Sequence, residues 1–99
     1  MGKIVMVMML FVGVLNATPY DTCKDLIALA NTGVASYARS SRNGNHEQAI
    51  VEIKESIRLF SLTRKLCGEE YHITESIDMN IKGLLTAIWQ QEMFIEIKR

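Results

Sequence analysis

Two cysteines, Cys23 and Cys67, sit far apart in a chain of only 99 residues. That pair constrains the fold more than any other feature. A chain of this length makes one small domain, and such a domain is marginal unless something staples it. The position midway between the cysteines is Asn45, inside the turn-forming run Asn43-Gly44-Asn45. Folding the chain there into an antiparallel hairpin of two helices brings both thiols to the same open end. A disulfide between Cys23 and Cys67 is therefore expected. Closing so long a loop restrains the unfolded chain by about 4 kcal/mol in the chain-entropy model. The alternative is a pair of inert buried thiols in a cytosolic bundle. The spacing is not CxxC, so it supports neither a redox motif nor a zinc knuckle.

Helical periodicity fills the rest. Pro19 is the only proline, and beyond it nothing forces a break. Cys23, Leu26, Ile27, Ala30, Val34, Tyr37 and Ala38 recur at steps of three and four, which line one helix face. Thr22 with Asp25 reads as a capping box opening that first helix. The run "SSRNGN" ends it. Asn45 with Gln48 can cap a second helix, whose stripe is Ala49, Ile50, Ile53, Ile57 and Phe60. Leu59, Leu62 and Leu66 form a further line, so burial on two sides is expected. Gly68 after Cys67 is a stop signal. Thr74 then opens a third helix with the stripe Ile77, Ile81, Leu84, Leu85, Ile88 and Ile95. Gly83 inside it costs about 1 kcal/mol against alanine, which points to a close helix contact there. The expected fold is all-α: a three-helix bundle stapled by one disulfide, with residues 18–99 as the domain.

The opening "MGKIVMVMMLFVGVLNA" has a different character. Thirteen of its 17 residues are apolar. Lys3 supplies a positive start, Ile4 to Leu15 an apolar run, and Asn16-Ala17 a small-residue end. This reads as a secretory signal peptide over residues 1–17, and the run is short for a membrane span of roughly 20 residues. An uncleaved anchor is the alternative, and it would be the only membrane contact. Export to the periplasm or beyond agrees with a disulfide, which persists in oxidising compartments. Removing residues 1–17 takes one lysine and no acid, leaving ten basic and eleven acidic side chains. A chain so balanced has no field to steer it to nucleic acid or anionic lipid.

The inventory for catalysis is thin. His46 falls at a helix start and reads as a solvated first-turn residue. His72 lies in "EEYHITE", the one local cluster that could hold a metal or move a proton, but it lacks the helical spacing of HExxH. No serine sits in GxSxG or SxxK, and there is no Gly-rich phosphate loop. The reading is a non-enzymatic protein with no cofactor and no metal. The last helix says more. Trp89, Met93 and Ile97 follow one another at four-residue steps on a line that drifts off the core stripe, and Phe94 points elsewhere again. One reading has Trp89 close the end of the bundle. The other makes Trp89, Met93 and Ile97 a partner-binding ridge, for another protein or for a second copy in a homodimer.

The stretch "TCKDLI", a second cysteine two helices later and a closing amphipathic helix resemble the Hde family of periplasmic acid-stress chaperones. Thr22, Cys23, Asp25 and Leu26 match that family's first-cysteine motif, and Cys67 takes the place of its second cysteine. Unlike the family pattern, the first helix here runs on with no proline after the motif. The resemblance implies an apolar surface exposed at low pH that captures unfolding clients. Two function classes follow: an exported protein-binding module that antagonises one partner, as inhibitors, immunity proteins and lysis-control proteins do; or a periplasmic chaperone of the Hde type.

Overall fold

A computed structural model describes residues 19–98, and the expected signal segment, residues 1–17, lies outside them. Three helices follow in order: α1 (Tyr20–Arg42), α2 (His46–Cys67) and α3 (Thr74–Lys98). They form a three-helix bundle. The middle helix in sequence is also the middle one in space. α1 and α3 each pack along α2, and their direct contact with one another is slight.

The helix ends show which local signals prevailed. α1 starts at Tyr20, earlier than the Thr22–Asp25 capping box would have it, and no side chain caps it. Pro19 holds the N-cap position at φ −60°, and its carbonyl accepts from Cys23 N at 3.2 Å. A proline fixes φ and gives up no useful donor at a helix start, so the ring displaces the hydroxyl cap. At the other end Gly44 turns the chain at φ +81°, a region glycine enters without Cβ strain. Asn45 then caps α2 as expected, its Oδ1 accepting from Gln48 N at 3.2 Å. α2 ends at Cys67, but Gly68 does not end it through a left-handed cap, because its φ is −55°. Glycine is needed there for space: a Cβ would lie 2.5 Å from Thr74 Oγ1. The left-handed residue of this connection is His72, at φ +53°.

The core joins Ala30 of α1, Ile53 and Phe60 of α2, and Ile77, Leu84 and Ala87 of α3, with Val34, Tyr37, Ile57, Ile81 and Ile88 around them. Each large aliphatic or aromatic side chain removed from water contributes about 1.5–3 kcal/mol. α1 packs tightly on α2 at Gly33, where a Cβ would lie 2.1 Å from Ser56 Oγ. Ser56 is fully buried and donates to Ala30 O at 3.0 Å. That bond satisfies a hydroxyl whose burial would otherwise be costly. Ser40 Oγ likewise donates to Glu52 Oε1 across the same pair of helices.

The disulfide expected between Cys23 and Cys67 is present, with the two Cα atoms 6.2 Å apart and both side chains buried. Three other expectations are corrected. Gly83 marks no close contact, for a Cβ there would meet nothing within 4 Å. Leu62 and Leu85 are exposed rather than buried. α2 is indeed covered on two sides, but of its leucine line only Leu59 and Leu66 are half-buried, and the polar Ser56 and Thr63 are buried completely.

Candidate functional site

Two places combine side chains in ways the bundle does not need for its apolar core. One is the turn end. His46 is half-buried, not solvated as the sequence suggested, and Phe94 rather than water covers it. The two rings stack with centroids 5.0 Å apart and planes 20° from parallel. His46 Nδ1 lies 2.6 Å from Gln91 Oε1. Gln91 Nε2 in turn donates to Ser41 Oγ at 3.0 Å. An amide that donates through Nε2 offers Oε1 as acceptor, so His46 Nδ1 carries the proton it donates. Gln91 is almost completely buried. This chain of bonds ties α1, the start of α2 and α3 together. It acts as a latch.

The second place is the outer face of α3. At about 100° per residue, Trp89 and Met93 project from the side opposite Leu84 and Gln91. Trp89 is 60% exposed, Met93 42% and Ile97 75%. All three residues of the sequence-derived ridge are thus at the surface, and Trp89 does not close the end of the bundle. Leu85 and Met79 extend the same face and are exposed as well. Gln90, Met93, Phe94 and Ile97 line a shallow cleft near its C-terminal end. Phe94 therefore serves both places, one face on His46 and one edge on the cleft. Periodicity alone left it aside, because its partner lies 48 residues earlier in the chain.

Charges around these places are few and local. Arg58 pairs with Glu55 at 2.6 Å on α2, and its hydrogen bond holds the Glu55 carboxyl below the usual range. Arg64 of α2 reaches Asp78 of α3 at 2.6 Å, and that hydrogen bond raises the guanidinium further above its usual value. Both pairs are solvent-exposed, where such contacts add little stability. Tyr71 packs against Tyr20 with ring centroids 5.3 Å apart, and desolvation followed by the nearby Glu70 carboxylate raises its phenol. His72 stands exposed in the α2–α3 connection. Among the described residues no three His, Cys, Asp or Glu side chains converge as metal ligands would. Nor, among them, is any helix long and apolar enough to cross a membrane. Compared with family models, curated proteins and solved structures, the chain finds no match in any of the three.

Proposed function

We propose that this is a small exported, non-enzymatic protein-binding module, and that it antagonises a partner protein through the outer face of α3. Trp89, Met93 and Ile97 are its working surface, with Leu85 and Phe94 at its edges. One observation carries the reading. A rigid helix that already has a complete core stripe presents a second apolar face to solvent, with a tryptophan near its middle. Contiguous exposed apolar surface rimmed by polar residues marks contact sites. Tryptophan is among the residues that most often dominate binding energy, because its large ring leaves water at low entropic cost. The buried disulfide supports the exported setting, since disulfides persist in oxidising compartments.

The test is the double variant Met93→Ser/Ile97→Ser, isolated from the exported fraction. Both side chains are exposed, so the thermal melt should move by less than about 1 kcal/mol, as surface substitutions do. Stoichiometric capture of a partner by chemical cross-linking should be lost. Capture that persists in a folded variant places the working surface elsewhere. Suppression of aggregation of many unrelated clients, at acidic pH only, identifies a chaperone of the Hde type instead.

A further inference from the structure

The outer face of α3 carries two opposite charges placed symmetrically about its tryptophan. Lys82 and Glu96 are each seven residues from Trp89. Two helical turns are close to seven residues, so both charges fall on the same side of the helix as Trp89, about 10 Å to either end of it. Leu85 and Met93 are likewise each four residues away. All five side chains are exposed. Among the described residues the ion pairs are Arg58–Glu55 and Arg64–Asp78, and neither Lys82 nor Glu96 takes part in them.

We propose that a second copy of this chain covers this face, with the two α3 helices antiparallel and the two-fold axis passing at Trp89. The proposal rests on the reading of the α3 outer face as a contact surface, and it names the occupant. An isologous contact requires a patch that complements itself under a two-fold rotation. Here the rotation sets Trp89 against its own copy and Leu85 against Met93 of the second copy. It sets Lys82 against Glu96 of the second copy, and does so twice. The parallel arrangement puts lysine on lysine and glutamate on glutamate, and like charges in contact are a standard device for excluding a register. Charge thus selects one orientation and one register, and apolar burial supplies the affinity. One helix pair is at the small end of stable protein interfaces, so the dimer is in exchange with monomer. A partner protein that uses Trp89 must then displace the second copy, and self-association sets how much working surface is open.

Sedimentation equilibrium of the exported, oxidised protein over a wide concentration range tests this. The wild type is expected to pass from monomer to dimer. Lys82→Glu and Glu96→Lys should each weaken the dimer by tenfold or more. The double reversal, Lys82→Glu with Glu96→Lys, should recover wild-type association, because the pairs are restored with their signs exchanged. Thermal melts of all three variants verify folding. If a reversal disturbs the fold, Lys82→Gln and Glu96→Gln read the same pairing by removal of charge. A wild type that stays monomeric at the highest concentration overturns the proposal. So does a dimer indifferent to single reversals, or a double reversal weaker than either single one. Failure of the underlying reading is seen separately: a monomer that still captures a partner through Met93 and Ile97 leaves that reading standing, and a folded Met93→Ser/Ile97→Ser variant that keeps both dimer and partner removes it.

Discussion

The two ends of the bundle are held by different physics. At one end α1 begins, α2 finishes, and the Cys23–Cys67 bond joins them covalently, with Tyr20 on Tyr71 and Arg64 on Asp78 alongside. At the other end α1 turns into α2 through Asn43 to Asn45. There α3 is held by a histidine, a buried glutamine, a serine and a stacked phenylalanine. The first device acts mainly on the unfolded chain, by denying it conformations. The second acts only in the folded state, where each bond depends on all its partners being in place. The disulfide joins α1 to α2 alone. The polar latch draws in the C-terminal half of α3, so that half of the apolar outer face is positioned at the end without the staple.

Breaking the staple should have the largest effect. Cys67→Ser is expected to lower stability by about 2–5 kcal/mol, read as a lower melting temperature in the variant and, equally, in the reduced wild type. A melt unchanged by reductant would place the bundle's stability elsewhere. The crossing between the two ends comes next. Gly33→Ala forces a methyl into the fully buried Ser56 hydroxyl and should cost about 1–3 kcal/mol, as overpacking does. Its control is Gly83→Ala, where the space is open. That change should raise stability by up to about 1 kcal/mol through helix propensity. A loss at Gly83 would mean that the space beside it is filled in solution. The latch is the most local of the three. Gln91→Ala leaves Ser41 and His46 without their shared partner and should cost about 1–3 kcal/mol. Hydrogen exchange should quicken in the last turns of α3 and the first turn of α2, while amides beside the disulfide stay protected. Uniform loss along all three helices would show that the two ends do not act separately.

Much of this architecture was legible in the chain, and for local reasons. Three- and four-residue steps identify helices because the α-helical repeat leaves few alternatives. Gly44 and Asn45 identify the first turn because left-handed backbone and N-capping each favour few residue types. The disulfide followed from placing that turn midway between the cysteines. What misled was finer. Thr22 and Asp25 have the capping-box pattern, but Pro19 upstream settles the helix start first. Leu85 reads as core and is exposed, while Gln91, which the apolar stripe passes over because it is polar, is buried. Leu85 lies at the margin of the stripe, where only the crossing of neighbouring helices decides burial. Gln91 lies on the same side as Leu84, and it is the polar side chain, not the wheel, that hides it from a search for apolar periodicity. His46 carries no local mark of burial, because the groups that enclose it come from 45 residues or more downstream.

By itself, then, the sequence determined three helices, their turns, the staple, and a line of Trp89, Met93 and Ile97 on the last helix. Each of these depends on interactions within a few residues or on a simple symmetry of spacing. Tertiary structure alone decided which glycine is a contact and which is open, which polar side chains are buried, and which side of α3 is left to solvent. Those outcomes depend on how the helices cross. Gly33 meets Ser56 only because α1 lies against α2, and α3 keeps an uncovered apolar face only because both flanking helices pack on the central one and scarcely on each other.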